Sequence, residues 1–455
     1  MTRTDMATSS VQSPAVGSFT EAAFHAHLAR VAHLPAWWLD RKKAAFARFA
    51  ALPMPARTNE GWRFSNIGSL TLDGFAVPDG PAPRPATHAE VGIDGLGHLI
   101  FANNRLSTRG ELAADAASQG VIFSTLQEAL VRHEALVREH LLTQPSKLGS
   151  EKFAALHEAF LEDGAFVYIP KNVTLRLPVG VFHYACGPNT AVFPHTLVVA
   201  GENAKATVVD FFRSDFPAAA GASAPPLDAS PQFACGGNDL HAGHGAQLTY
   251  VATQEWSRAT LSFQFNATVA RRDARVVSVN LHAGARQARH ESYSQLQAPG
   301  AHSEMLALTI AHGAQEFDQR TLQIHQAPNT SSNLLYKNAL LDQAKTVFSG
   351  LIVVDPDAQK TDAYQSNRNL MLSDDAEAHS LPGLEIQAND VRCTHGATSA
   401  RIPAEQEFYL QSRGIAKAQA DELLVFGFFE EVLGKIDNEN LHDILSGLIR
   451  RKFKE

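Results

Sequence analysis

Residues 273–315 read DARVVSVNLHAGARQARHESYSQLQAPGAHSEMLALTIAHGAQ, and this stretch decides the fold. One phrase recurs in it: a polar or glycine turn residue, then alanine, then a polar residue, then alternating apolar residues. It occurs at Asp273-Ala274-Arg275, Gly284-Ala285-Arg286, Gly300-Ala301-His302 and Gly313-Ala314-Gln315. The alanine-to-alanine steps are 11, 16 and 13 residues, too short for a strand-plus-helix unit and right for a strand plus a turn. No such unit can bury its own apolar face, so the units must stack and share a core.

The phrase continues outward in both directions. It appears earlier at Asn203-Ala204-Lys205 and Gly245-Ala246-Gln247, and later at Gln343-Ala344-Lys345, Asp357-Ala358-Gln359 and Asp375-Ala376-Glu377. A small alanine after the turn suits a corner where the chain bends into the next strand. The reading is a solenoid of strands, a β-helix, over residues 161–402; a β-sandwich with regular strand spacing is the runner-up. The Ala-, Pro- and Ser-rich stretch Pro217–Pro231 reads as a loop hanging off the solenoid.

Residues 1–160 read as a mixed, largely helical region. Thr20 can cap a segment carrying Phe24, Leu28 and Val31 at helical spacing, and Pro35 opens a second one. Pro53 and Pro55 break the pattern, and Pro78–Pro85 forms a connector. A strand at His98–Ala102 and a helix at Leu126–Leu142 follow. Helices return in 403–455, where Pro403 suits a helix start and Gly414 its end. Leu423–Leu433 is apolar on almost every side. The last helix sets Leu441, Ile444, Leu445, Leu448 and Ile449 on one stripe. The chain is therefore mainly β with α, helical regions flanking a β-helix.

Composition narrows the function classes. The 455 residues carry 39 Lys and Arg against 47 Asp and Glu, a formal net charge of −8, with 45% hydrophobic and 19% charged residues. Nucleic-acid binding is disfavoured because phosphate contacts need clustered cations. The one basic cluster, Arg450-Arg451-Lys452, reads as cations at a helix C-terminus. No secretory pattern shows in Met1–Ser13 and no apolar run is long enough to span a bilayer, so the expectation is a cytoplasmic protein without a membrane role. Cys186, Cys235 and Cys393 are too few and too scattered for a disulfide framework or an all-protein metal cage. There is no G-x-S-x-G, H-E-x-x-H or P-loop signature, so neither a nucleophilic triad nor nucleotide binding by this chain is expected.

The sharpest local candidate is Val391-Arg392-Cys393-Thr394-His395-Gly396-Ala397-Thr398. In a strand, residues two apart share a face, which puts the Cys393 thiol and the His395 imidazole side by side. Both are good ligands for iron or zinc, but two donors leave a tetrahedral site half built. His241, His244, His282, His290, His302, His312 and His325 are read as structural, with His244 and His312 in matching turns of the repeat. Asp355, Asp357, Asp374 and Asp375 could flank a sugar as in β-helical glycosidases, though turn formation explains them more simply. The aromatic helix with Phe426, Phe428 and Phe429 reads as core or as a docking surface.

Longer blocks carry a family resemblance. Lys345–Val353 (KTVFSGLIV), Lys360–Ser373 (KTDAYQSNRNLMLS), Asn389–Thr398 (NDVRCTHGAT) and Glu405–Ile415 (EQEFYLQSRGI) closely resemble the SufB/SufD family of iron–sulfur cluster assembly proteins. Within it, Leu52-Pro53 with Asn59–Phe64 (NEGWRF), and Gly396 where the SufB pattern has an acid, resemble the SufD side. The resemblance implies a right-handed parallel β-helix that pairs with a SufB-like paralogue and docks a SufC-like ATPase through C-terminal helices. It places Gln411, Arg413, Gly414, Ile415, Phe426 and Phe429 at that docking surface. It also implies that His395, and less firmly Cys393, handle transient iron or a nascent cluster shared with the paralogue. The chain would then be a non-catalytic subunit, able to form a homodimer when the paralogue is scarce.

Overall fold

The computed structural model describes residues 16–85, 93, 95–215 and 230–453. The opening Met1–Ser13 and nearly all of the Pro217–Pro231 loop lie outside them. Strands are the commonest elements of the described chain, arranged in two facing sheets that the chain visits alternately. One sheet contains Val179–Cys186, Lys205–Asp215, Gln247–Glu255, Arg275–His282, His302–Ala311, Ser331–Leu340, Asp362–Met371 and Arg392–Arg401. The other takes the strands between. Every neighbouring pair among these is parallel. This is a parallel β-solenoid, and the sandwich alternative, which needs antiparallel neighbours, falls away.

The register shows why the repeat takes this form. Gln247, Arg275, His302 and Ser331 stand directly above one another, at steps of 28, 27 and 29 residues. Just before six of these eight strands the backbone turns left-handed: Asn203, Gly245, Asp273, Gly300, Asn329 and Lys360 have φ between +54° and +75°. Five of the six are Gly, Asn or Asp, the residues that accept this conformation most easily. The residue that follows points inward, and Ala204, Ala246, Ala274 and Ala301 are fully buried in a column that Thr330 and Thr361 continue. The backbone N–H of each corner donates to the corner of the next rung, as from Asn203 to His244 O and from Asn329 to Gln359 O.

Three sequence phrases are out of step with these corners. At the opposite corner the register aligns Arg286, Gln315, Ala344 and Ala376, so Ala285 and Ala314 sit one residue early and Ala314 is exposed. The Asp357-Ala358 phrase lies three residues before the true left-handed corner at Lys360. His244 and His312 do not match either. The first lies on the turn from the second sheet to the first, the second on the opposite turn.

The two ends of the solenoid differ. At one, Gly97–Ala102 pairs with Val179–Cys186, and Arg105–Gly110 closes that edge as an antiparallel strand. Ile122–Thr125 closes the second sheet in the same way against Ala165–Ile169. Both sheets therefore take in strands from before residue 161. Helices Glu21–Arg30, Ala36–Ala51 and Glu151–Phe160 cover this end around Phe19, Phe24, Phe49, Phe153 and Phe160. Two lysines fasten the last two helices reciprocally. Lys42 Nζ donates to Ala159 O and Leu161 O, and Lys152 Nζ donates to Phe49 O and Leu52 O, each satisfying carbonyls at the other helix's C-terminus. The helix expected over Leu126–Leu142 is two helices, Leu126–Arg132 and Glu134–His140, broken at His133 (φ −131°, ψ 38°).

The C-terminal helices Ala404–Gln411, Lys417–Leu433 and Glu439–Phe453 turn back along the solenoid. Val425, Phe429, Val432, Leu441, Leu445 and Ile449 pack on the outward-facing Leu306, Leu308, Ile310 and Leu335 of the first sheet. Each such side chain contributes about 1.5–3 kcal/mol by leaving water. Lys337 Nζ donates to Phe428 O at 2.6 Å and pairs with Glu431, which also meets Arg368 at 3.0 Å. Among the described residues no helix is long and apolar enough to cross a membrane.

Candidate functional site

Among the described residues nothing caps the far end of the solenoid. Its last two strands, Glu377–Ile386 and Arg392–Arg401, pair with Lys345–Val354 and Asp362–Met371, and among the described residues neither has a partner on its other side. Two parallel edges therefore lie open side by side, with their backbone donors and acceptors free to accept further strands.

Cys393 and His395 lie in the last of these strands. Cys393 stands in register with Ala363 and His395 with Gln365, whose side chains face the interior. The same alternation turns Cys393 and His395 toward the lumen, where no later rung covers them. Cys393 is half-buried against Leu384 and Val391. Burial pushes its thiol pKa up, and the nearby Asp362 carboxylate acts in the same direction, so the thiol stays protonated near neutral pH. His395 is exposed, and no hydrogen bond or ion pair holds its imidazole among the described residues. The described residues contain no group of three or more His, Cys, Asp or Glu placed to hold a metal ion. The open mouth presents one thiol and one imidazole.

The proposed docking residues divide. Gln411, Arg413 and Gly414 are exposed. Gly414 takes φ +84° and ends the helix, with the Ile415 N–H donating to Leu410 O. Arg413 lies over the Tyr409 ring at 3.6 Å. Phe429, by contrast, is 0% exposed and belongs to the core beneath the helix. Phe426 is half-buried, with the Arg450 guanidinium 4.9 Å over its ring. The exposed apolar residues here are instead Phe408 (72%), Tyr409 and Leu423. An all-round apolar sequence cannot say which side faces the sheet; only the packing does.

The remaining candidates are structural. Cys186 and Cys235 are buried with thiols pushed up, that of Cys186 to about 12, which leaves no thiolate for chemistry. His282 and His290 stack inside the solenoid at 3.7 Å, and burial lowers both pKa values, that of His290 to about 3. Asp355 and Asp357 occupy the corner before Asp362–Met371, and Asp374 and Asp375 the corner after it. Ten residues of strand, roughly 33 Å, separate the two pairs, against about 5–9.5 Å for a glycosidase pair. The Asn59–Phe64 motif is a strap across the second sheet. The Trp62 indole donates to Gly149 O and lies under the buried Arg289 guanidinium (4.1 Å), and Phe64 stacks on His379 of the last rung.

Sequence reasoning did not single out Gln365, Asn367 and Asn369, which line the lumen directly beneath the His395 strand. Their two-residue spacing in an otherwise apolar-alternating strand was the available signal.

Comparison with known proteins identifies the family. Residues 183–428 match the family model described as SUF system FeS cluster assembly, SufBD core domain, and residues 30–181 match the SufBD protein N-terminal region. The chain is 27% identical over 425 residues to the iron–sulfur cluster assembly protein SufD of Bacillus subtilis, covering 92% of this chain and 95% of the relative. It is 26% identical over 394 residues to SufD of Escherichia coli (85% and 86%). Identity to SufB of Bacillus subtilis is 24% over 429 residues (89% and 86%).

Proposed function

Because the chain belongs to the SufBD family of iron–sulfur cluster assembly proteins, of the SufD type, we propose that it is a non-catalytic assembly subunit whose open solenoid end receives a SufB-like paralogue. The observation that carries this reading is the pair of open edge strands with a free imidazole between them. A solenoid that closes one end with antiparallel strands and helices, and leaves the other with bare backbone, has a surface suited to β-strand addition. A sister solenoid ending in the same way would pair its strands there and cover His395.

In this reading His395 offers an imidazole nitrogen to iron or a nascent cluster, which is cargo, while the paralogue supplies the sulfur-bearing donor. Cys393 stands beside it as a protonated thiol that a bound metal could deprotonate. The exposed Gln411–Gly414 turn with Phe408, Tyr409 and Leu423 is the surface offered to a SufC-like ATPase, which binds the nucleotide in this chain's stead. The Lys337–Glu431–Arg368 contacts tie that helix to the strands next to the mouth. A cytoplasmic setting suits its unpaired thiols.

The test is reconstitution. The chain should co-purify with a SufB-like paralogue and a P-loop ATPase, and His395→Ala should abolish cluster formation while leaving the complex assembled. Full cluster yield from the His395→Ala complex would reduce this chain to a structural partner. Failure to form any complex would overturn the assembly role.

A further inference from the structure

We propose that Gln365 and Asn369 are positioning residues, a brace of side-chain amides across the mouth that fixes the two terminal strands and thereby the place of His395. The proposal rests on the assembly reading above and adds what sets the geometry of its site.

Gln365 is 0% exposed and stands beneath His395 in register. Its amide crosses the lumen, with Nε2 donating to Gly383 O at 3.0 Å and lying 3.4 Å from Gly350 O. Both contacts are carbonyl oxygens, so the NH2 end must point that way. Gly383 belongs to the last strand of the opposite sheet, so this one side chain ties a first-sheet strand to the second sheet's open edge. The crossing needs a glycine at 350: a Cβ there would lie 2.3 Å from Gln365 Oε1. That oxygen is buried and has no hydrogen-bond partner among the described residues. A group placed at such a disadvantage is held by geometry rather than by its own contacts.

Asn369 ties the other edge. Its Nδ2 lies 3.2 Å from Thr398 O and 3.2 Å from Ser399 Oγ in the His395 strand, and 3.3 Å from Ser380 Oγ in the terminal strand opposite. Behind it, Asn338 Nδ2 donates to Asn369 Oδ1 at 2.8 Å, and Gln319 Nε2 donates to Asn338 Oδ1 at 3.1 Å. A file of amides thus runs from the buried core to the mouth and there fans out to both edges. An edge strand is held by backbone bonds on one side only; the brace supplies a second hold.

Fixing both edges together matters for a partner that must add strands to both sheets at once. Two linked contacts gain over one only when their spacing matches the partner's.

The test uses the near-isosteric variants Gln365→Met and Asn369→Leu, with Gly350→Ala as an independent probe that displaces the Gln365 amide without altering it. Hydrogen exchange should quicken at least tenfold in residues 377–386 for Gln365→Met and Gly350→Ala and in residues 392–401 for Asn369→Leu, while exchange in 247–340 is unchanged. Pairing with the SufB-like paralogue should weaken at least tenfold, and cluster yield per assembled complex should fall at saturating paralogue, which loss of general stability would not produce. Wild-type exchange in both 377–386 and 392–401 together with wild-type yield would overturn the brace. His395→Ala run in parallel separates the two ideas: full yield there sinks the cargo reading, whereas the exchange result judges the brace regardless.

Discussion

The two ends of the solenoid answer the same problem in opposite ways. Every parallel sheet ends in an edge with unsatisfied backbone groups. At the first end, antiparallel strands complete both sheets, and three helices cover them with an aromatic cluster in which Phe160 meets Phe19, Phe24 and Phe193. At the last end, Glu377–Ile386 and Arg392–Arg401 are largely solvent-facing, and side chains that would be core one rung earlier stand at the surface. The first end is built for stability, and the last is the end proposed above to receive a partner. Changes at the first should alter folding, and changes at the last should alter partnership.

The largest expected separation comes from acid. His27, His157, His183 and His290 are buried with pKa values lowered to about 3, and His241 and His325 to about 4, desolvation being the main cause throughout. Their folded-state values lie below the usual 6.5. Their stabilisation is therefore complete above about pH 6.5 and is lost as the pH falls toward 3, by up to about 1.4 kcal/mol per pH unit for each group. Asp163 and Asp210, raised to about 7 by burial, act in the opposite sense and offset two of these. Urea midpoints measured from pH 7 to pH 4.5 should fall steeply.

Phe160→Ala at the capped end should destabilise by about 3–5 kcal/mol, read from denaturant unfolding. Leu384→Ala at the mouth, where the side chain is only partly covered, should cost under about 1.5 kcal/mol. Equal losses would break the contrast between the ends. Ala397→Glu, a charge on the exposed mouth, should shift stability by no more than about 0.5 kcal/mol yet weaken pairing with a SufB-like paralogue about 100-fold, measured by calorimetric titration. The smallest effect is expected at a corner. Lys360 has φ +59° where its counterparts are mostly Gly, Asn or Asp, so Lys360→Gly should stabilise by roughly 1 kcal/mol.

The solenoid was legible because its determinants are local. A residue tolerant of positive φ followed by a small inward residue specifies the corner at Asn203-Ala204, Gly245-Ala246, Asp273-Ala274 and Gly300-Ala301 without help from elsewhere. The reading slipped at Ala285, Ala314 and Asp357 because alanine is common and sequence spacing alone does not say which turn stacks on which. The Cys393–His395 face followed from strand alternation. Phe429 was misplaced on a docking surface because an apolar helix gives no sign of which side meets the sheet.

By itself, the sequence determined a run of strand-and-turn units that must stack and the shared face of one thiol and one imidazole, since both depend on periods of two residues and on single-residue backbone preferences; that neighbouring strands run parallel was decided by the stacking. Tertiary structure alone decided that this face opens at an uncapped end. It alone brought Gln365 across to Gly383, and Asn369 to Thr398 and Ser380. Those contacts join residues 11 to 29 positions apart, and their existence depends on how the rungs stack rather than on what any one rung contains.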